Sequence, residues 1–227
     1  MQFSGFPKEG LEFLSRLKAN NTKEWFEANK NDYEKYILEP NRAYVKEMGE
    51  TLQILVPFIH AEPKINRSLF KIYRDSRFHL DNPIKEKIGI IMWQGSGHRM
   101  QSSSFYMHYS PDEVFVATGI RNFKPPLLAT YREYIKDSAK REALHHILEE
   151  LKNKGYQIPE PKFKRTLRGF NSSDNYSYLY KMGAIYAYKS FKPDSTFFSQ
   201  KIIDRNFKIY QDMFDLQQWV YELTLFG

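Results

Sequence analysis

The spacing of apolar positions predicts three helices in the first quarter of the chain. The first has an apolar stripe at helical spacing, formed by Leu11, Phe13, Leu14 and Leu17. The polar run Asn20-Asn21-Thr22 follows and supplies an N-cap, Asn21 or Thr22, for a second helix that runs to Ile37. Pro40 ends that helix or begins the third, which spans residues 41–56 and is closed by Pro57.

In the middle of the chain, helical spacing gives way to patterns typical of strands. Leu69–Tyr73 and Ile88–Trp93 are short runs rich in β-branched and aromatic residues. Residues 105–109 and 114–118 flank the turn sequence Ser110-Pro111-Asp112-Glu113, which is the clearest hairpin in the chain. These four segments predict most of a sheet.

The last part of the chain returns to helices around one more strand. Helices are predicted over residues 125–135 and 139–152, and residues 180–191 rejoin the sheet. Pro193 then begins a long terminal helix with an inner face of Phe198, Ile202, Phe207, Tyr210, Phe214 and Val220. This order predicts an α+β fold with an antiparallel or mixed sheet of about five strands, packed with N-terminal and C-terminal helices.

Length and composition favour a single domain. The chain has 227 residues, of which 41% are hydrophobic, and this is enough for one sizeable core. We expect one domain over 1–227, with a helical N-terminal part at 1–62, a sheet-forming middle at 63–123 and a helical and sheet-return part at 124–227.

The absence of cysteine excludes disulfides and cysteine-ligated zinc. The first residues lack the apolar segment of a signal peptide, and no run approaches the roughly 18 apolar residues of a membrane span. We therefore expect a cytoplasmic protein that does not engage a membrane.

Motifs of common cofactor sites are missing from the sequence. There is no Walker A loop, no dinucleotide fingerprint and no Gly-x-Ser-x-Gly elbow. Glu142 and His145 have the Glu-x-x-His spacing of di-iron bundles, but such bundles need two of these motifs and two further glutamates. We expect neither a metal nor another cofactor, and whether the protein is an enzyme stays open.

A net charge of +7 favours anionic partners. Lys64–Lys87 alone contains seven basic and three acidic residues, which gives this segment a net charge of +4. Within it, Asp75 lies between Arg74 and Arg77, and a carboxylate can hold such arginines as a fork that binds phosphate or carboxylate, with Lys85 nearby. The same residues are also typical of an internal salt-bridge network that ties a loop to the sheet, and both interpretations remain open.

Histidines and aromatic residues are candidates for the rest of such a site. His108 shares one strand face with Tyr106, because side chains alternate along a strand, and it is either a cleft residue or a half-buried structural histidine. His79 and His108 are candidates to supply a proton near neutral pH, and Asp75 is a further catalytic candidate. Trp25 and Tyr106 are candidates to wall the pocket.

A second basic stretch, Lys162–Phe170, contains four basic residues, two phenylalanines and no acid. Basic residues interleaved with aromatics are typical of grooves that bind single-stranded nucleic acid. They are equally typical of a basic edge segment whose apolar residues face the core, so this stretch has two interpretations.

Motifs spread over nearly the whole chain resemble a known family. They are Phe3-Ser4-Gly5-Phe6-Pro7, Phe13-Leu14, Asn20-Asn21-Thr22-Lys23-Glu24-Trp25-Phe26, Tyr73-Arg74-Asp75-Ser76-Arg77-Phe78, Phe105-Tyr106 with His108, Gly119, Leu127-Leu128 with Arg132, and Arg168-Gly169-Phe170. The family they resemble is bacterial and is known as domain of unknown function 2461. The resemblance implies no particular reaction, cofactor or catalytic residue.

One segment departs from the pattern of that family. After the Arg-Asp-x-Arg-Phe motif the family usually reads Ser-Lys-Asp-Lys-Thr-Pro-Tyr-Lys. In this chain Asp81, Pro83 and Lys85 match that pattern, whereas His79, Leu80, Asn82 and Ile84 differ from it.

Three functions are compatible with the sequence. We favour the binding of a small anionic or phosphorylated ligand in a basic cleft, with Arg74, Arg77 and Lys85 holding the anion. A second hypothesis is a nucleic-acid-binding module without catalysis, in which Lys64–Lys71 and Lys162–Arg168 follow the phosphates. A third is a protein-interaction or structural domain that uses its many aromatic residues at an interface, and the oligomeric state is open.

Overall fold

The computed structural model describes residues 2–75, 77, 81–165 and 175–226. Its first helix, α1 (Lys8–Ala19), buries Phe13, Leu14 and Leu17 on one face, as the apolar stripe predicts. These three side chains are completely buried, so α1 contributes a full face to the core.

The second predicted helix is divided into shorter pieces. Thr22 caps α2 (Lys23–Ala28), and its hydroxyl oxygen accepts a hydrogen bond of 3.1 Å from the backbone N–H of Trp25. After Asn29 the chain forms α3 (Lys30–Tyr33), a π-helical turn over Glu34–Leu38, and then α4 (Glu39–Leu52). Pro40 lies in the first turn of α4, directly after the π-helical turn.

Four antiparallel strands form the sheet of the described residues, in the order β1-β2-β3-β4. They are β1 (Ile88–Trp93), β2 (Ser104–Tyr109), β3 (Val114–Ile120) and β4 (Ile185–Phe191). The β2–β3 hairpin closes where the N–H of Ser110 donates to the carbonyl oxygen of Glu113 over 2.8 Å. The α+β class and the hairpin are therefore confirmed.

The expectation of a strand at Leu69–Tyr73, and with it a count of about five, is wrong for the described part of the chain. This segment makes isolated bridges instead, from Leu69 to Ile90 and from Tyr73 to Ile84. Since the segment changes partner between Leu69 and Tyr73, it cannot extend a continuous ladder along β1.

The remaining helices are α5 (Pro125–Tyr134), α6 (Ser138–Asn153), α7 (Ile202–Asp212) and α8 (Phe214–Leu225). The single terminal helix expected from Pro193 is wrong, because helical structure begins at Ile202 and is interrupted at Met213. Asp194 caps a turn before α7, where it accepts hydrogen bonds from the N–H of Phe197 and from Arg205. These hydrogen bonds hold the segment before α7 in a non-helical conformation, which the spacing of apolar residues does not indicate.

The chain divides into two compact units. The first consists of described residues within 1–92, 106–116 and 190–208, and the second of those within 93–105, 117–189 and 209–227. In the first unit, Phe6 stacks on Phe197 with ring centroids 4.8 Å apart and also packs against Tyr44 and Tyr109. The first unit is therefore built around a cluster of aromatic rings.

The second unit has an aromatic core of its own. Tyr131 is completely buried, and its hydroxyl donates to the carbonyl oxygen of Leu179 over 2.8 Å. Burial raises the pKa of Tyr131 well above its ordinary value. Trp219 packs edge-on against Tyr134 and donates its indole N–H to the carbonyl oxygen of Lys140. Tyr131 and Trp219 thus bury their rings and still satisfy their polar atoms.

Candidate functional site

A short antiparallel pairing in the first unit carries two of the predicted anion-binding residues. Tyr73 and Ile84 form the bridge at its centre. On one side of the bridge the N–H of Arg74 donates to the carbonyl oxygen of Pro83 over 2.8 Å, and on the other the N–H of Lys85 donates to that of Ile72 over 2.8 Å. Arg74 and Lys85 are therefore diagonal neighbours across the pair, a relation that places two residues roughly 7–8 Å apart and their Cβ atoms somewhat closer. We call Arg74 and Lys85 the basic edge.

The Arg74 side chain is fixed without a carboxylate. It is half-buried, and its Nε–H donates to the carbonyl oxygen of Ile84 over 3.2 Å. Among the described residues no acidic side chain pairs with this guanidinium. A half-buried cation held by a neutral carbonyl keeps most of its charge for an external anion.

Lys85 is held in a comparable way. Its Nζ donates to the carbonyl oxygen of Lys71 over 2.7 Å and lies 6.0 Å from the centre of the Phe70 ring. The lysine is half-buried, and the carbonyl oxygen of Lys71 orients its ammonium group. Both members of the basic edge thus use neutral backbone oxygens as anchors.

Arg77 and Asp75 form a separate and more exposed pair. The guanidinium of Arg77 binds both oxygens of Asp75, at 3.0 Å from Nε and 2.6 Å from the terminal nitrogen. The side chains of Arg77 and Asp75 are 77% and 45% exposed. Asp75 therefore holds Arg77, whereas Arg74 is held by Ile84, so the structure does not form the double fork around Asp75 that the spacing predicts.

Tyr73, at the centre of the bridged pair, contacts the N-terminal helices. Its hydroxyl donates to Glu27 Oε1 over 2.6 Å, and its ring packs edge-on against Phe26. Partial burial, reinforced by Glu27, raises the pKa of Tyr73 to about 12. The hydrogen bond from Tyr73 is the largest cause that lowers the pKa of the Glu27 carboxyl below its ordinary value.

We expect Tyr73→Phe to raise the pKa of Glu27 toward its ordinary value of 4.5, because the variant removes the hydrogen bond that favours the carboxylate. A carboxyl group whose pKa is lowered by folding stabilises the protein at pH values above its ordinary pKa, and this stability is lost as the pH falls. The variant should therefore lose less stability on acidification than the native protein does. An NMR titration of the Glu27 carboxyl measures the shift. An unchanged pKa would show that Tyr73 does not bind Glu27 in solution.

Aromatic rings continue from the basic edge over one face of β2 and β3. Phe70 and Tyr106 pack edge-on with centroids 6.0 Å apart, and Tyr106 packs in the same way on Phe115 at 6.2 Å. His108 stacks on Phe115 at 4.7 Å with the rings nearly parallel. We call Phe70, Tyr106, His108 and Phe115 the aromatic face.

His108 is fixed at the far end of the aromatic face. It is 5% exposed, and its Nε2 lies 3.3 Å from Glu113 Oε2. The other oxygen of Glu113 accepts a hydrogen bond of 2.9 Å from the hydroxyl of Ser190. Since the serine hydroxyl donates its proton to the glutamate, this arrangement orients His108 and does not activate the serine as a nucleophile.

An amide clamp connects the basic edge to the N-terminal helices. Asn21 Nδ2 donates to the carbonyl oxygen of Ile84 and Asn21 Oδ1 accepts from the N–H of Ile84, both over 3.0 Å. Asn21 Nδ2 also lies 3.3 Å from Glu86 Oε1, which accepts a further bond from Asn82. Asn21 thus occupies the place of a neighbouring strand, and we call these contacts the Asn21 clamp.

The other predicted site residues fall outside this group or outside the described residues. Trp25 packs on Phe13 at 5.6 Å and lies under the guanidinium of Arg16, so these contacts keep it within the N-terminal helices. His79 is not among the described residues. The structure thus brings together Lys85, Tyr106 and His108 along one run of contacts, with Arg74 beside Lys85.

Sequence reasoning missed the residues that connect the predicted ones. Phe115 follows the same alternation as Tyr106 and His108 on the neighbouring strand of the predicted hairpin, so its place on the aromatic face could have been inferred. No signal in the sequence indicates that Glu113 joins His108 to Ser190, which is 77 residues further along the chain.

The described part of the second basic stretch contacts its own unit. Lys162 Nζ donates to Asn122 Oδ1 over 3.1 Å, and the guanidinium of Arg132 lies 5.0 Å from the centre of the Phe163 ring. Residues 166–170 of this stretch lie outside the described residues. Lys162 and Phe163 therefore have partners within their own unit, and Lys164 and Arg165 are exposed.

Neither a metal centre nor a membrane-spanning helix is found in the described part of the chain. No group of three or more histidine, aspartate or glutamate side chains there is arranged to hold a metal ion. No helix among those residues combines the length and the apolar character that crossing a bilayer requires.

Comparison with known proteins relates the chain to a family. The model of a family described as "Conserved hypothetical protein (DUF2461)" matches residues 9–219. No curated protein and no solved structure matches the chain.

Proposed function

Because the chain belongs to the conserved hypothetical protein family DUF2461, we infer its function from its own side chains and propose that it binds a small anionic or phosphorylated ligand at the basic edge. Arg74 and Lys85 are the residues that hold the anion in this proposal. Whether the bound ligand also reacts is a separate question, for which Asp75, His79 and His108 remain catalytic candidates.

The observation that carries the proposal is the anchoring of Arg74. A guanidinium has five N–H donors in one plane, and the bond to Ile84 uses the Nε–H. The two terminal amino groups are the pair of donors that bind a phosphate or carboxylate through two parallel hydrogen bonds. Since no acidic side chain among the described residues neutralises this arginine, an anion is the partner that its environment lacks.

The surrounding residues add to this preference. Lys85 is a diagonal neighbour of Arg74 across the bridged pair, so one anion can interact with both cations. Tyr106 is half-buried beside Phe70, which supports the role of a pocket wall suggested by its strand position. Arg77 is assigned a minor role, because Asp75 already binds its guanidinium.

The alternative functions have less support. Nucleic-acid binding would use the exposed Lys162, Lys164 and Arg165 of the second basic stretch, but Phe163, the aromatic residue in the described part of that stretch, packs against Arg132. The protein-interaction hypothesis rested on the abundance of aromatic residues, and many of these rings are buried in the cores of the two units. Neither alternative explains an Arg74 that is anchored by a carbonyl oxygen and has no acidic partner within the described residues.

We expect Arg74→Gln to weaken anion binding by about 10- to 100-fold, because a charge-assisted pair of hydrogen bonds contributes roughly 1.5–3 kcal/mol. The ligands for this experiment are inorganic phosphate, sugar phosphates, nucleotides and dicarboxylates, screened first by thermal shift and then by calorimetry. Weaker binding at higher salt should accompany the loss.

The matched control is Arg77→Gln, which removes the same charge three residues away. It should change affinity by less than about threefold, because an exposed and already paired arginine contributes little. Circular dichroism of both variants checks that they fold. Equal losses in the two variants, or no binding of any anion by the native protein, would contradict the proposal.

A further inference from the structure

The basic edge is continuous with the aromatic face, and this places ring surfaces beside the proposed anion site. Lys85 Nζ lies 6.0 Å from the centre of the Phe70 ring, and Phe70 lies 6.0 Å from Tyr106. From Tyr106 the run continues to Phe115 at 6.2 Å. The Phe70 ring therefore lies beside the ammonium group that holds the anionic group of the ligand in this proposal.

Three of the four rings of the aromatic face differ from the other rings of β2 in their exposure. Phe105 and Tyr109 point to the opposite side of the strand and are almost completely buried, at 0% and 2% exposure. Phe70, Tyr106 and Phe115 are instead half-buried. Large rings that keep part of their surface in solvent form an apolar surface that a ligand can cover.

A glycine in β1 allows the first two rings to approach the sheet. A Cβ atom at Gly89 would lie 3.0 Å from the Phe70 ring and 3.2 Å from the Tyr106 hydroxyl. Both distances are shorter than ordinary contacts of such an atom, so a side chain here would displace the rings. Gly89 therefore makes room for the junction between the basic edge and the aromatic face.

The far end of the aromatic face is held rigidly. Glu113 accepts a hydrogen bond from Ser190 and lies 3.3 Å from His108 Nε2, which keeps the imidazole stacked on Phe115. A ring surface that is already ordered loses little conformational entropy when a ligand stacks on it.

From this arrangement we propose that the ligand carries a planar ring in addition to its anionic group, as a nucleotide or an aryl phosphate does. The inference rests on the proposed function, because it takes Arg74 and Lys85 as the anion site. Stacking on half-buried aromatic rings favours a planar ring over a sugar or an aliphatic chain, since a planar ring makes contact over its whole face.

Calorimetry with a graded set of anions tests the inference. Ribose 5-phosphate has the phosphate and sugar of a nucleoside monophosphate but no base, and phenyl phosphate has a ring but no sugar. We expect at least one ring-bearing phosphate, among the four common nucleoside monophosphates and phenyl phosphate, to bind about tenfold more tightly than ribose 5-phosphate. Binding by phenyl phosphate but not by the nucleotides would support the inference and identify an aryl anion.

The variant Phe115→Leu separates stacking from anion binding. It should weaken binding of the ring-bearing phosphate by about fivefold or more and leave the affinity for ribose 5-phosphate unchanged. Binding of ribose 5-phosphate also shows that the variant is folded. Equal loss for both ligands, or a native protein that binds ribose 5-phosphate as tightly as every ring-bearing phosphate, would overturn the ring inference and leave the anion site in place. Failure of all phosphates to bind would overturn both proposals.

Discussion

Gly119→Ala is expected to lower the free energy of unfolding by about 3 kcal/mol or more, which places it among the most severe single substitutions. Gly119 lies in β3 with a φ of +121°, a conformation that side chains rarely adopt. An added Cβ would overlap the carbonyl oxygen of Ile185 and lie 2.7 Å from the Cα of Tyr186 in β4. Because both obstacles are backbone atoms of a paired strand, rotation of a side chain cannot relieve the overlap. Urea denaturation followed by circular dichroism measures the effect.

Gly155→Ala is the matched control for this prediction. Gly155 also has a positive φ, of +80°, but apart from its chain neighbours no atom of the described residues lies within 4 Å of the position of an added Cβ. The variant therefore isolates the cost of the backbone conformation and should lose about 1 kcal/mol. Equal stability of the two alanine variants would contradict a close approach of the β3 and β4 backbones at Gly119.

Asn21→Ala is expected to lower the free energy of unfolding by roughly 2–3 kcal/mol and to weaken anion binding as well. The substitution removes both hydrogen bonds with the backbone of Ile84 and the contact with Glu86. Ile84 is completely buried, so in the variant water does not readily replace Asn21 as the acceptor for its N–H. Because the carbonyl oxygen of Ile84 also anchors Arg74, the loss should extend to the basic edge. Urea denaturation measures the stability, and calorimetry with phosphate measures the affinity.

Two variants define the origin of this effect. Asn21→Asp keeps the acceptor for the N–H of Ile84 but removes the donor and adds a negative charge beside Glu86, so it should be about as destabilising as alanine. Asn20→Ala removes an exposed amide that bonds within the end of α1 and should cost less than about 1 kcal/mol. A stable Asn21→Ala protein with native affinity for anions would show that the Asn21 clamp does not support the site.

Local patterns predicted several members of the candidate site. The charge density of Lys64–Lys87 pointed to Arg74 and Lys85, and strand alternation placed Tyr106 and His108 on one face. The pattern could not show which cation is neutralised. Arg74 and Arg77 are equivalent in the sequence, yet it is Arg77 that binds Asp75, because the bridged pair directs Arg74 toward Ile84.

The segment that departs from the usual family pattern is a second case in which the sequence does not show the contacts of a residue. Ile84 and Asn82 replace the residues usual at these positions, and this substitution by itself suggests only a lost polar group. In the structure, Ile84 is buried and its backbone binds both Asn21 and Arg74. Position 84 acts through its backbone, which every residue type except proline supplies in full.

Apolar periodicity and turn chemistry are local properties, and they determined what is local in this protein. They were sufficient for α1, for the start of α2 at Asn21 or Thr22, for β1, and for the hairpin of β2 and β3. These elements are specified by residues within one or two turns of each other, or by a four-residue turn, so their signals survive without knowledge of distant contacts.

Only the tertiary structure decided the features that depend on residues far apart in the chain. Leu69–Tyr73 has the composition of a strand, but it forms only isolated bridges, from Leu69 to Ile90 and from Tyr73 to Ile84. The Asn21 clamp spans 63 residues and the Glu113–Ser190 contact spans 77. Such pairings form because folding brings their partners within hydrogen-bonding distance, and a single sequence has no local pattern that records that distance.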